Sequence, residues 1–221
     1  RGFGQQLNVP ILIWVIRDLD HTYIIDTGAH KSVLGTDASA RRWQERHEAP
    51  GVALASVGVD ANAVEMVVIT HLHYATAGPC NMFPNADIVV QRRELEYARD
   101  PLPVHRRVYD SPALALPDDR WCIVDGTSEI RPGIQLLLTP GHTPGLQAVV
   151  VDTAEGRFVI ASDTIPLYEN WGITDRREER IPSGSFIDLR EYYVTLDRLA
   201  APGGRVLPGH DPAVLCERWP R

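Results

Sequence analysis

Glu65-Met-Val-Val-Ile-Thr70 runs directly into His71-Leu-His73, and this junction determines how the rest of the chain can be interpreted. The short run of apolar and β-branched residues predicts a buried strand. Because side chains alternate in direction along extended backbone, the rings of His71 and His73 should point to the same side. Two imidazoles held in this way can bind one metal ion, so the pair predicts half of a metal site at a strand end.

Three other possible metal ligands also follow predicted strands. His142 and His210 each come directly after a Pro-Gly pair, and Asp163 ends the apolar run Phe158-Val-Ile-Ala-Ser. The Pro and Gly residues indicate rigid turns where the backbone can approach a ligand. Zinc and iron both accept imidazole and carboxylate ligands. We therefore predict that one metal site is formed by His71, His73, His142, Asp163 and His210.

The remaining histidines carry no such signal. They lie near turns, in a charged stretch and in a loop, where a histidine is usually an ordinary surface residue. This group consists of His21, His30, His47 and His105.

Apolar runs separated by Gly and Pro predict strands over most of the chain. Besides 65–70, strands are expected at 11–16, 22–26, 88–90, 121–124, 134–138, 146–151, 157–161 and 205–207. Helices are expected at 37–48, 92–99 and 188–199, and a long loop at 102–120. The chain has no linker, repeat or low-complexity tract, so we predict a single α/β domain over residues 1–221 with two sheets.

Composition and charge exclude several classes of function. Hydrophobic residues make up 44% of the 221 residues and charged residues 23%, as expected for a globular chain with a packed core. With 22 basic and 29 acidic residues, the net charge of −7 argues against a nucleic-acid or membrane-surface partner. No apolar run approaches the ~18 residues of a membrane-spanning helix. We expect a small-molecule substrate instead.

The three cysteines are widely spaced and odd in number: Cys80, Cys122 and Cys216. This pattern excludes a disulfide framework and a Cys-x-x-Cys zinc site. Free thiols and the lack of a visible signal peptide favour a cytoplasmic protein. A core-type strand already starts at Ile11, so we expect that residues preceding Arg1 are missing.

Seven short motifs are distributed over nearly the whole length of the chain: Ile25-Asp-Thr-Gly28, Ile69-Thr-His-Leu-His-Tyr74, Phe83-Pro-Asn-Ala86, Val90-Gln-Arg-Arg-Glu-Leu-Glu96, Leu138-Thr-Pro-Gly-His-Thr-Pro-Gly145, Ala161-Ser-Asp163 and Pro208-Gly-His210. In this order they resemble the motifs of the metallo-β-lactamase superfamily, and within it those of the N-acyl homoserine lactonase-like branch. The resemblance implies a four-layer αββα sandwich with the site at one edge of the paired sheets. It also implies metal-dependent hydrolysis of a lactone, an ester or a related acyl compound.

The first metal-binding motif departs from the family pattern. The family has His-x-His-x-Asp-His, whereas the last two positions here hold Ala75 and Thr76. The resemblance assigns the first ion to His71, His73 and His142, the bridging and catalytic carboxylate to Asp163, and a second ion to His210. That second ion would keep only two protein ligands, fewer than a stable site usually has. We predict one divalent ion, zinc with iron as the alternative, and a weak or empty second site.

The lactonase-like branch also uses a tyrosine three residues beyond the bridging aspartate, where this chain has Pro166. Tyr168 is the nearest substitute, and we predict that it contacts the substrate. The alternative is a loop aromatic that packs on the edge of the sheet.

Three functions remain open on the sequence. The first is hydrolysis of a lactone, ester or related acyl bond with a single metal ion. The second is a metal-poor member repurposed for ligand binding or non-hydrolytic chemistry. The third is a mononuclear non-haem iron oxygenase, since two histidines and a carboxylate on one ion leave positions open for oxygen. Metal content separates the first two, and iron content with oxygen consumption identifies the third.

Overall fold

The strands of the protein form two five-stranded sheets. The computed structural model describes residues 6–18, 20–29, 44–172 and 180–216. The first sheet has the spatial order β1 (Trp14–Arg17), β2 (Thr22–Ile25), β3 (Met66–Val68), β4 (Asp87–Gln91) and β5 (Trp121–Val124). β1 and β2 are antiparallel, and the other neighbours are parallel.

The second sheet is mostly antiparallel. Its spatial order is β10 (Arg205–Pro208), β9 (Gly156–Ser162), β8 (Gln147–Thr153), β7 (Ile134–Leu138) and β6 (Ser128–Arg131). Only the β10–β9 pair is parallel. Short loops connect β6 to β7 and β8 to β9, which is what antiparallel hairpins require.

Helices cover the outer face of each sheet. α1 (Pro50–Ser56) and α2 (Arg92–Arg99) pack on the first sheet, and α4 (Leu189–Ala200) packs on the second. A fourth short helix, α3 (Tyr168–Trp171), follows the second sheet's β9 strand in the chain. None of the helices in these described ranges is both long and apolar enough to cross a membrane. Because two sheets lie between helices on both outer faces, the predicted four-layer αββα sandwich is confirmed.

Side-chain alternation along β8 explains how this strand contributes to two of the three core layers. Val149 and Val151 pack with residues of the first sheet, whereas Ala148 and Val150 pack under α4. Because successive strand residues face opposite sides, one strand supplies both the layer between the sheets and the layer beneath the helix. Residues 148–151 of β8 are accordingly a continuous apolar run, as expected for a strand buried on both faces.

The fold brings the predicted site residues to one end of the sandwich. β3 ends before His71, β7 before His142, β9 before Asp163 and β10 before His210. All four loops therefore leave the carboxyl ends of their strands, and they meet at the edge where the two sheets face each other.

Two predicted elements differ from the structure for local reasons. Residues 37–43 of the predicted helix lie outside the described ranges, Arg46–Glu48 forms a single 3-10 turn, and helix α1 begins at Pro50. A proline disfavours helical backbone in the residue before it but fits the first helical position, so a helix can start there but not run through it. The predicted strand 11–16 begins only at Trp14, because its partner β2 ends at Ile25 and Asp26 turns away with φ 59°.

The predicted loop 102–120 and the hairpin after it also differ in detail. The loop contains two 3-10 turns, Pro112–Ala115 and Asp118–Arg120. Strand β6 was not predicted, since it is an edge strand with alternating polar residues and no buried side chain.

We expect Leu136→Ala to lower the free energy of unfolding by ~2–5 kcal/mol, because it leaves a cavity between the sheets. Leu136 is 0% exposed in the layer between the sheets. Leu102→Ala is the matched control, since Leu102 is 55% exposed, and it should change the free energy by no more than about 0.5 kcal/mol. Urea denaturation followed by circular dichroism measures both. Equal small effects would contradict a packed layer at this position.

Candidate metal centre

Four potential ligands converge at the end of the sandwich: His71, His73, His142 and Asp163. One ligand atom from each lies within 4.8 Å of all the others. The two sheets each contribute half of the group, since His71 and His73 follow β3 while His142 and Asp163 follow β7 and β9. Of the five residues that the sequence predicts, the structure thus brings four into one cluster.

The ring nitrogens of the three histidines converge on one point, and the structure leaves one of them without a hydrogen-bond partner. The Nδ1 of His142 lies 2.8 Å from the Ser185 carbonyl oxygen, so Nδ1 carries the proton and Nε2 of the neutral ring has a free lone pair. That Nε2 lies 3.2 Å from Nδ1 of His73. The buried Nε2 of His71 has no hydrogen-bond partner. An unpaired buried nitrogen costs free energy, and a bound cation would remove that cost, so these residues fit a metal ion.

Asp163 lies between this cluster and His210. One of its oxygens, Oδ2, is 3.4 Å from Nε2 of His142 and 3.8 Å from Nε2 of His71. The other, Oδ1, is 2.9 Å from Nε2 of His210. His210 in turn is oriented by its Nδ1, which donates to the Pro10 carbonyl oxygen at 2.8 Å. His210 therefore contacts the shared carboxylate but lies outside the four-residue cluster.

Burial keeps His71 and His73 neutral. It lowers the pKa of His71 to about 3 and that of His73 well below its usual value, because removal from water penalises the charged ring. Neutral imidazole is the form that binds a metal ion.

Asp163 and His210 shift in opposite directions. Burial by itself raises the pKa of Asp163, but the charge of His210 and the hydrogen bond to it hold that pKa well below its usual range. Burial lowers the pKa of His210, yet the Asp163 carboxylate outweighs this effect and raises that pKa to about 9. Asp163 is therefore ionised at neutral pH.

Thr76 closes the loop that carries the first two histidines. Its hydroxyl donates to the carbonyl oxygen of His71 at 2.8 Å and to that of His73 at 3.1 Å. The backbone N–H of Thr27 donates to the Thr76 carbonyl at 2.7 Å. The side chain is thus directed into the loop backbone, and neighbouring Ala75 has no ligand atom.

A sequence profile described as the metallo-beta-lactamase superfamily matches residues 8–210. The chain belongs to the metallo-β-lactamase superfamily.

Relatives of this superfamily member carry lactonase names. N-acyl homoserine lactonase AiiA of Bacillus thuringiensis subsp. kurstaki is 29% identical over 193 aligned residues, which cover 83% of this chain and 72% of the relative. N-acyl homoserine lactonase AttM of Azorhizobium caulinodans is 29% identical over an alignment of 245 positions including gaps, which covers 100% of this chain and 87% of the relative.

Solved structures of similar fold carry related names. A quorum-quenching N-acyl homoserine lactone hydrolase superimposes with a TM-score of 0.81 at 25% identity, covering 99% of this chain and 87% of that one. An N-acyl homoserine lactone hydrolase with N-hexanoyl-L-homoserine at its catalytic metal centre gives a TM-score of 0.80 at 23% identity, covering 98% and 87%. The second likeness supports the metallo-β-lactamase fold.

Asp26 supports the first ligand loop from behind. Its two carboxyl oxygens accept from the backbone N–H and the hydroxyl of Thr70, each at 2.8 Å, directly before His71. The Thr70 hydroxyl also lies 2.8 Å from that of Ser162, on the other sheet and directly before Asp163. Burial raises the pKa of Asp26 to about 8, although the Thr70 hydrogen bonds lower it. The sequence offered Asp26 only as part of a motif, and its supporting role was missed.

Tyr192 on α4 supports the second half of the cluster. Its hydroxyl lies 2.7 Å from the Thr164 carbonyl oxygen and 3.0 Å from that of Asp163. The same hydroxyl accepts a hydrogen bond from the backbone N–H of Ser183 at 3.3 Å. A Cβ placed on Gly141 would lie 2.5 Å from Cα of Tyr192, so only glycine allows the loop before His142 to approach the helix. The helical period predicted that Tyr192 packs on the sheet, but it carried no signal of this hydrogen bonding.

The predicted substrate contact Tyr168 lies apart from the groove beside the cluster. That groove is lined near the ligands by Ala29, Tyr74, Ala75, Ser183 and Ser185, and Tyr168 does not line it. Tyr168 is half-buried at the start of α3, where its backbone N–H donates to Asp211 at 2.9 Å. Its contact with substrate stays a prediction.

The other histidines that the structure describes are not members of the four-residue cluster. His47 is exposed, while His21 and His105 are half-buried and contact Asp18 and Tyr97. His30 lies outside the described residues.

We expect Thr76→Val to lower the free energy of unfolding by ~1–3 kcal/mol, because two loop carbonyls lose their hydroxyl donor. Thr76→Ser keeps the donor and should retain most of the stability. Urea denaturation of the two metal-free variants beside the unmodified protein measures the difference. Equal stability of the Val variant and the unmodified protein would show that the hydroxyl does not hold the loop.

Proposed function

We propose that this protein is a metal-dependent hydrolase that opens a lactone ring or cleaves a related ester or acyl bond. The proposal rests on the four ligand atoms of His71, His73, His142 and Asp163, which lie within 4.8 Å of one another. Imidazole nitrogens and a carboxylate oxygen are ligands that zinc accepts in proteins. We therefore propose zinc as the bound ion.

The relatives support a lactone as substrate. Both AiiA and AttM are named N-acyl homoserine lactonases. An N-acyl homoserine lactone is an uncharged small molecule, so a chain of net charge −7 does not repel it. We propose this class of lactones as the first to assay.

A zinc ion in such a site polarises a bound carbonyl and makes water more acidic. The residues around it hold the reacting groups in place. Asp163 would bind the ion through Oδ2, while its Oδ1 keeps contact with His210 at 2.9 Å. We propose that Asp163 is the catalytic carboxylate and that it holds both the ion and His210 in position. We also propose that Tyr168 contacts the substrate.

We propose that the protein works with a single ion. A second ion would have only Asp163 and His210 as protein ligands, because Ala75 has no ligand atom and the Thr76 hydroxyl is committed to the loop carbonyls. Stable zinc sites usually have at least three protein ligands. The second site is therefore weak or empty.

The proposal predicts one zinc per chain and hydrolysis of N-acyl homoserine lactones, measured by elemental analysis and by acid release at constant pH. His73→Ala and His142→Ala should lose the metal and roughly a hundredfold or more of the activity, beyond the 10–100-fold typical of an outer-shell change. His21→Ala is the matched control, because His21 contacts Asp18 at the start of β2 and does not line the groove beside the cluster. It should leave metal content and activity unchanged.

Three outcomes would contradict hydrolysis by a single zinc ion. Turnover that survives His73→Ala and His142→Ala would show that this site does not take part in the reaction. A protein that carries no metal and turns over no lactone or aryl ester would instead be a repurposed member. Bound iron with oxygen consumption would favour an oxygenase.

A further inference from the structure

Glu94 on α2 is a carboxylate that the proposed reaction does not use. Its side chain is 0% exposed, although glutamate is rarely fully buried without a partner. Within the described ranges, no cationic side chain forms an ion pair with it. A buried charge with no cation beside it needs several hydrogen-bond donors, and so its surroundings indicate what it holds together.

Each oxygen of Glu94 accepts two hydrogen bonds. Oε1 accepts from the backbone N–H of Leu72 at 2.9 Å and from the Tyr109 hydroxyl at 3.2 Å. Oε2 accepts from the Thr143 hydroxyl at 2.6 Å and from the backbone N–H of Gly145 at 3.1 Å. All four neighbours act as donors, which suits an ionised carboxylate, since it has only acceptor sites.

The two oxygens serve different ligand loops. Leu72 stands between His71 and His73, so Oε1 binds the loop of the first sheet. Thr143 follows His142, so Oε2 binds the loop of the second sheet. One planar carboxylate therefore spans the gap between the two halves of the cluster.

Two further contacts make this link tight. The Tyr109 ring packs edge-on against the His73 ring, with centroids 4.7 Å apart, while its hydroxyl binds Glu94. A Cβ on Gly145 would collide with the backbone of α2 at Glu94, so the second loop can approach the helix only because this residue is glycine.

We propose that Glu94 is a positioning residue that sets the spacing of the two histidine loops and thereby the affinity and geometry of the metal site. This inference rests on the proposed metal site. The spacing concerned is that between His73 Nδ1 and His142 Nε2, which are 3.2 Å apart. A carboxylate binds both loops at once. The amide of glutamine cannot do so, because it has one acceptor oxygen and one NH2 donor group. In either orientation that NH2 group would face the backbone N–H of one loop, which can only donate.

The test compares Glu94→Gln with Glu96→Gln, which removes the same charge from an exposed position of the same helix. Apo protein of each variant is titrated with Co²⁺, and the visible spectrum of the bound ion reports its coordination. We expect Glu94→Gln to weaken Co²⁺ binding ~10–100-fold and to change that spectrum, as for other residues that orient metal ligands. Glu96→Gln should match the unmodified protein.

Thr143→Val removes one bond on the His142 side only and keeps the proposal testable if Glu94→Gln does not fold. It should weaken Co²⁺ binding by a smaller factor, roughly 3–10-fold, as expected for the loss of one hydrogen bond to a charged group. Unchanged affinity and spectrum in a folded Glu94→Gln, or in Thr143→Val if the former fails to fold, would overturn the proposal even if the melting temperature falls. An unmodified protein that binds no Co²⁺ would overturn it as well.

The readout does not depend on hydrolysis. If the unmodified protein binds Co²⁺ but hydrolyses no lactone or ester, the proposed reaction fails while the spacing role of Glu94 is still decided by the titration. If it hydrolyses lactone and Glu94→Gln binds Co²⁺ normally, the reaction stands and the role of Glu94 is wrong.

Discussion

The convergence of buried imidazole nitrogens, one of them without a hydrogen-bond partner, is the constraint on which the site depends. Nε2 of His142 and Nδ1 of His73 are 3.2 Å apart, and Nε2 of His71 is buried without a partner. Without a cation this arrangement is unfavourable, since the lone pair of His71 Nε2 has lost its hydrogen bond to water. A fold that maintains it against this cost is explained most simply by a bound metal ion, and the nearby ionised carboxylate of Asp163 supplies part of the compensating charge.

The rest of the molecule keeps these nitrogens in place from behind. Asp26 fixes the residue before His71, and Tyr192 binds the backbone carbonyl of Asp163. Glu94 connects the two loops, and Thr76 closes the first of them. Each of these groups is buried and binds backbone. The ligand loops are thus held by the sandwich itself, so the position of a single ion can be defined without a second one.

Much of this could be predicted from the sequence. The apolar runs and the motifs that end them predicted the sandwich and the superfamily, and both are confirmed. The His71 and His73 pair and the strand-end positions of His142 and Asp163 predicted the residues that cluster. These features are local, because a strand and the residue that follows it lie side by side in the sequence.

The supporting residues could not be found in the same way. Glu94 lies in a charged helix, and only the tertiary structure shows that it is buried between two loops 22 and 49 positions away. Tyr192 fits the apolar face of α4 whether or not its hydroxyl binds a loop. The sequence shows that Thr76 stands where the family motif has histidine. Its hydrogen bonds to carbonyls within five residues could not be predicted, because they depend on the curvature of the loop. The metal-ligand roles themselves stay predictions.

The most direct measurement is anomalous diffraction at the zinc edge from crystals of the zinc-loaded protein. A single strong peak between His71, His73, His142 and Asp163, with Thr76 still bound to the loop carbonyls, is the result that a one-ion site requires. A pair of peaks on either side of Asp163, or a peak away from these four side chains, would contradict it.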